Sequence, residues 1–175
     1  MKALNQYIKE GLKVNSKSKF SKGYNYSPKN KDELEKLIEQ LLKERGKQAD
    51  LNDINTAKIT DMSHLFSNSK FNGNISEWDV SNVTSMMGMF RDSEFNGDIS
   101  GWDVSKVENM ESMFNYSKFN GDISKWNVSK VRNMYGMFWY SKFNGDISNW
   151  DVSNVKNMRF MFDYSPLENN PPKWY

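Results

Sequence analysis

The feature that most constrains this chain is a 24-residue repeat, printed four times almost without change. The hexapeptide Phe-Asn-Gly-(Asn/Asp)-Ile-Ser begins at Phe71, Phe95, Phe119 and Phe143. Tryptophan follows at Trp78, Trp102, Trp126 and Trp150, then valine at Val80, Val104, Val128 and Val152 and again at Val83, Val107, Val131 and Val155. Each copy closes on Met-x-x-Met-Phe, as in Met110, Met113 and Phe114. Apolar positions that recur at one fixed long spacing are buried by stacking each copy on the next. A weaker copy precedes the four, at Leu51, Ile54, Ile59, Met62 and Phe66, and a half copy follows, at Leu167 and Trp174, broken by Pro171 and Pro172. Atypical ends suit such a stack, because its terminal copies have no neighbour on one side.

Within one copy the local periods differ. Trp102 and Val104, two apart, place both side chains on one face of a short extended segment. Val107, Met110, Met113 and Phe114 follow at helical spacing. Ser105 with Glu108 makes a capping-box pattern, and Asn96-Gly97 is a strong turn dipeptide. The expected fold class is therefore α/β, a leucine-rich-repeat-like solenoid with one short parallel strand and one short helix per 24-residue turn. At the usual strand separation its roughly five turns make a stub about 25 Å long.

Residues 1–48 do not repeat. Residues 1–27 read as an N-terminal helix, with Leu4, Ile8 and Leu12 aligned, and a polar linker. Residues 28–48 read as a capping helix with Leu34, Leu37, Ile38, Leu41 and Leu42 on one face and Gly46 as its stop. The array then occupies 49–166, with a C-terminal half-turn cap at 167–175.

Composition removes several chemistries. There is no cysteine, hence no disulfide framework and no zinc–thiolate site. His64 is the one histidine, and it has no nucleophile or paired carboxylate at a motif spacing. No catalytic residue, metal or cofactor is expected. Residues 1–48 carry a net charge of +6 and the remainder −4. The basic residues are spread out, without a nucleic-acid motif, so nucleic acid is not the expected partner. No apolar run is long enough to span a membrane. The first residues lack a signal peptide's apolar stretch, which points to a cytoplasmic or virion-associated protein rather than a secreted one.

Two resemblances follow from the motifs. The repeat Phe-Asn-Gly-Asp-Ile-Ser-x-Trp-Asp-Val-Ser-x-Val-x-Asn-Met-x-x-Met-Phe resembles the BspA-like leucine-rich-repeat surface proteins, in the branch found in mycoplasma lipoproteins. The resemblance implies an α/β solenoid and adhesion or host interaction, and it carries no catalytic residues. The chain departs from that pattern in lacking a lipobox cysteine. The stretch Met1 to Gly11 is similar to the capsid-targeting peptide of T-even-like bacteriophage internal proteins. That similarity implies cleavage after Glu10, with Ile8 and Gly11 completing the processing site.

Candidate site residues lie where the copies differ, since packing does not dictate them. Tyr135, Trp139 and Phe160 fall on one helical face, with Tyr116, Tyr140 and Tyr164 on an adjacent column and Arg91 and Arg159 beside them. Exposed aromatic clusters mark binding surfaces, though packing against neighbouring helices would also account for these residues. The aspartate columns (Asp98, Asp122, Asp146 and Asp79, Asp103, Asp151) invite a Ca²⁺ reading. The favoured reading is that they bond turn backbone. The Met and Trp columns read as core. The expected function is a non-catalytic interaction module for a protein or glycan partner. The alternative is a virion-internal protein addressed by its N-terminal helix.

Overall fold

The computed structural model describes residues 23–175; the expected first helix and the processing site at Ile8, Glu10 and Gly11 lie outside them. The described chain contains one helix, α1 (Lys31–Arg45), followed by a stack of irregular 24-residue coils. Asn30 caps α1 by accepting from the Glu33 N–H, and Gly46 ends it with φ +81°, a left-handed value that glycine takes at little cost. Leu34, Leu37, Ile38 and Leu41 are buried in one continuous core with the coils, so α1 seals the first coil. Arg45 fixes the other end of the helix, donating to both Asp53 carboxylate oxygens at 2.9 Å and to the Asp50 carbonyl at 2.9 Å.

The expected α/β leucine-rich-repeat-like solenoid is not what the chain forms. Among the described residues there is no helix in any repeat and no extended strand, only isolated parallel bridges. The segment read as a strand consists of turns: Trp102 N–H donates back to Ile99 and Val107 N–H to Val104. The Ser105–Glu108 capping box does not form either. Ser105 N–H bonds the Asp103 carboxylate, and Glu108 N–H reaches the Thr84 carbonyl of the preceding coil.

The segment read as a helix is the one that joins the coils. Met62, His64, Phe66 and Asn68 donate forward to the carbonyls of Ser85, Met87, Met89 and Arg91 at 2.8–2.9 Å. Between them Leu65, Ser67 and Ser69 donate back three residues within their own coil. The same alternation recurs from Met86, Met110 and Met134. A helix sends every N–H back to a carbonyl four residues earlier in the same segment; here every second one leaves for the next coil. The resulting turns require positive φ at two positions per coil. These are 64 and 68, 88 and 92, 112 and 116, 136 and 140, and 160 and 164, all between +53° and +61°.

Side chains repeat the stacking. Phe66, Phe90, Phe114, Phe138 and Phe162 form one buried column with centroids 5.7–6.0 Å apart, and Phe71, Phe95, Phe119 and Phe143 a second at 5.9–6.3 Å. Full burial of each such ring stabilises by about 1.5–3 kcal/mol. Each indole of the repeat's tryptophan column donates to a carbonyl of the preceding coil, as Trp126 does to Ile99 at 3.1 Å. Trp174 extends the series at 3.0 Å to Ile147. The backbone N–H groups of Asn96, Asn120 and Asn144 each donate to the asparagine side-chain oxygen one coil earlier, at 2.7–2.8 Å.

Asn96-Gly97 does not form the expected turn, and Gly97 has no positive φ. Its glycine is required because the Phe95 ring folds across the α-carbon, where a Cβ would sit 2.9 Å from two ring carbons.

Candidate functional site

The positive-φ registers decide what the outer surface of the Met-x-x-Met segment carries. Left-handed backbone costs an ordinary L-residue about 1–2 kcal/mol, and glycine, asparagine and aspartate tolerate it best. The first two coils comply in the later register with Asn68 and Asp92, and Gly88 and Gly136 comply in the earlier one. The last three coils instead place Tyr116, Tyr140 and Tyr164 in the later register, and Phe160 takes the earlier one. All four aromatics are exposed, between 39% and 61%.

These residues form one connected cluster. Tyr116 stacks on Tyr140 at 4.7 Å and Tyr140 on Tyr164 at 4.2 Å, with ring planes within 13°. Trp139, half-buried, meets Tyr116 edge-on at 6.1 Å and lies 6.2 Å from Phe160. Tyr135 meets Phe160 at 5.5 Å with perpendicular planes. Six of the eight residues singled out from the sequence are therefore together, four of them exposed and Tyr135 and Trp139 half-buried, and no repeat helix exists to cover them. Burial, then the neighbouring phenols of Tyr164 and Tyr116, raise the Tyr140 hydroxyl above its ordinary pKa.

The two arginines stand apart from that cluster in different ways. Arg91 pairs with Asp92 at 3.6 Å, in an earlier coil than the tyrosines. Arg159 is exposed beside Phe160 and forms no ion pair with a described residue.

Sequence reasoning missed one polar group here. The Trp139 indole N–H is buried with no hydrogen-bond partner among the described residues, unlike every column tryptophan. An orphaned buried donor costs about 1–3 kcal/mol. The visible signal was that Trp139 stands outside the tryptophan register.

The aspartate columns are structural. Asp98, Asp122 and Asp146 each accept from the backbone N–H two residues on at 2.9 Å, and Asp79, Asp103 and Asp151 do so at 3.0–3.1 Å. Asn74 and Asn127 make the same bond without charge. The Ser100 backbone N–H and hydroxyl hold Asp98 below the usual carboxylate range, with only a minor opposing push from Asp122. Asp122, Asp146, Asp103 and Asp151 are lowered by their own serines in the same way. Among the described residues no group of three His, Asp or Glu side chains could hold a metal ion.

Two clefts complete the surface. One, of about 440 Å³, lies between the end of α1 and the first coil and is crossed by the Arg45–Asp53 pair. Burial disfavours the Asp53 carboxylate, but hydrogen bonds from Arg45 and Asn25 outweigh it and hold the group low. The other, of about 620 Å³, lies between Asn144–Ser148 and the Pro171–Pro172 tail. Both are open and bring no reactive pair together.

A family model described as "Mycoplasma protein of unknown function, DUF285" matches residues 33–142 and 115–174. The chain belongs to this family. No curated protein and no solved structure matches it. The DUF285 match spans α1 and the coils and coincides with the stacked unit defined by the hydrogen bonds. Among the described residues no helix is long and apolar enough to cross a membrane.

Proposed function

We propose that this DUF285 chain is a non-catalytic interaction module, a rigid stack that presents the Tyr116–Tyr140–Tyr164 column and its flank of Trp139, Phe160 and Tyr135 to a protein or glycan partner. One observation carries the reading. Exposed aromatics occupy backbone positions where they are strained, although the same registers are filled without strain by Asn68, Asp92, Gly88 and Gly136 elsewhere in the stack. Neither packing nor turn geometry calls for tyrosine there. Strain kept at exposed aromatic positions is the mark of a surface retained for what it touches. The repeat motif's resemblance to BspA-like surface proteins agrees with an adhesive role.

The test compares the chain with Tyr116→Asn/Tyr140→Asn/Tyr164→Asn on arrays of glycans and peptides. At least one ligand class should bind the parent and lose most of its signal with the triple variant, whose melting temperature stays within a few degrees. Equal binding by both proteins refutes the aromatic surface.

A further inference from the structure

The forward hydrogen bonds give the stack a polarity. Each coil ends in a row of N–H groups that the next coil meets with carbonyls. In the last coil the corresponding donors are Met158, Phe160, Phe162 and Tyr164, and the first three have no acceptor among the described residues. The Lys156 carbonyl, whose counterparts at Thr84, Glu108 and Arg132 each accept from the following coil, is likewise unused. Farther along the row, the Glu168 carboxylate takes the Tyr164 N–H at 3.2 Å, an acceptor standing where a next coil's carbonyl would be.

Side chains show the same half-open end. Trp174 and Tyr175 cover Phe162 at 6.0 and 4.9 Å, closing one half of the terminal face. On the other half Val152, Val155 and Met158 are only partly buried, whereas Val128, Val131 and Met134 in the coil before are 0–1% exposed. Lys156 and Arg159 flank this half, both exposed and neither in an ion pair with a described residue. In the Lys156 column the stack itself pairs opposite charges across coils, Arg132 with Glu108 at 3.7 Å.

We propose that the open half of the last coil is a docking edge for an extended acidic segment of a partner protein, added in parallel where a further coil would lie. Its backbone accepts from Met158 and Phe160 and donates to Lys156. Its apolar side chains cover Val152, Val155 and Met158, and its carboxylates meet Lys156 and Arg159. Main-chain bonds at an unpaired edge supply affinity, and side chains supply selection. Polarity excludes two copies of this edge facing each other, since the outward N–H groups of Met158 and Phe160 would meet their own kind. The site is distinct from the tyrosine column and shares only Phe160 with it.

The chain contains a ready probe. Residues 106–117 (Lys-Val-Glu-Asn-Met-Glu-Ser-Met-Phe-Asn-Tyr-Ser) cover the equivalent edge of an earlier coil, where Asn109 and Glu111 accept from Met86 and Gly88, and Glu108 donates to Thr84. Transferred to the last coil, the same register sets the two glutamates beside Lys156 and Arg159. A fluorescent peptide of this sequence, titrated with the full chain and followed by anisotropy, should bind saturably. N-methylation of its Glu108 nitrogen removes the bond to Lys156 and should weaken binding about tenfold, the effect of one lost backbone hydrogen bond. Lys156→Glu/Arg159→Glu should weaken the parent peptide and favour a peptide carrying Glu108→Lys and Glu111→Lys. Val155→Glu, at a half-exposed position, should abolish binding while near-ultraviolet circular dichroism stays unchanged. Absence of saturable binding to the folded chain overturns the proposal. So does binding that ignores both N-methylation and Val155→Glu. If such binding is instead lost with Tyr140→Asn, the peptide sits on the tyrosine column, and that surface stands while the docking edge falls.

Discussion

Replacing Gly121 by alanine tests whether the Phe-Asn-Gly motif is held by ring packing rather than by turn geometry. A Cβ at Gly121 would lie 2.8 and 2.9 Å from two carbons of the Phe119 ring. That ring has nowhere to go. It is fully buried, stacked on Phe114 at 4.3 Å, and held between Phe95 at 6.3 Å and Phe143 at 6.2 Å. Overpacking of this kind costs about 1–3 kcal/mol. Gly101→Ala is the matched control: nothing lies within 4 Å of its Cβ, and its φ is ordinary. There the lost unfolded-state freedom should stabilise by about 0.4–1 kcal/mol. In a chain of this size each kcal/mol moves the melting temperature by about 2–4 °C, so Gly121→Ala should melt about 2–12 °C lower and Gly101→Ala slightly higher. Thermal unfolding followed by tryptophan fluorescence reads both, since Trp126 belongs to the affected coil. Phe119→Leu trims the offending ring edge, so Gly121→Ala/Phe119→Leu should be more stable than the sum of the two single changes predicts. Equal melting of the two alanine variants, or strict additivity in the double variant, refutes the packing argument.

Two further expectations follow from the hydrogen bonds. Trp126→Phe leaves the Ile99 carbonyl without its donor in a buried site and should cost about 1–3 kcal/mol by urea unfolding. Trp174→Phe, in the partly open last coil, should cost less, and the reverse order would refute the assignment. Asp98, Asp103, Asp122, Asp146 and Asp151 all have pKa values lowered by their turn bonds. A carboxylate lowered in the folded state stabilises fully above its unfolded pKa, near 4, and loses that contribution as pH falls through its folded value. Stability should therefore decline below about pH 4, where unfolded aspartate begins to take up protons. Asp98→Asn/Asp122→Asn should flatten that decline and keep neutral-pH stability, because Asn74 and Asn127 already make the same bond uncharged. An unchanged acid limb would show that these bonds do not set it.

Much of this architecture was legible because the repeat fixes which residues share an environment without fixing what that environment is. The tryptophan and methionine columns are core as expected, and α1 stops at Gly46 as expected, although it begins at Lys31 behind the Asn30 cap rather than at Pro28. Secondary structure was not legible from apolar spacing. Val107, Met110, Met113 and Phe114 at intervals of three, three and one point inward in a helix, and they also point inward in a chain of tight turns. The two differ in where the outward N–H groups go, which apolar spacing does not record. The outer registers do record it. Gly88 and Asp92 stand four apart, and glycine recurs at Gly136, in registers that a helix would give to good helix formers. Residues that tolerate left-handed backbone, recurring at one register of a supposed helix, are evidence against the helix.

The same registers explain why helical spacing groups these aromatic residues although no helix forms there. Tyr135 and Trp139 were paired as neighbours on a helix face; they are brought to one surface instead by the positive φ values of Gly136 and Tyr140. Once those positions are known to be left-handed, tyrosine there changes meaning. On a helix Tyr116, Tyr140 and Tyr164 would be unremarkable surface residues. On this backbone each costs more than the Asn68 and Asp92 it replaces, and the three stand together. The wrong secondary structure therefore located the surface, and the backbone conformation that corrects it supplies the physical reason to regard that surface as functional.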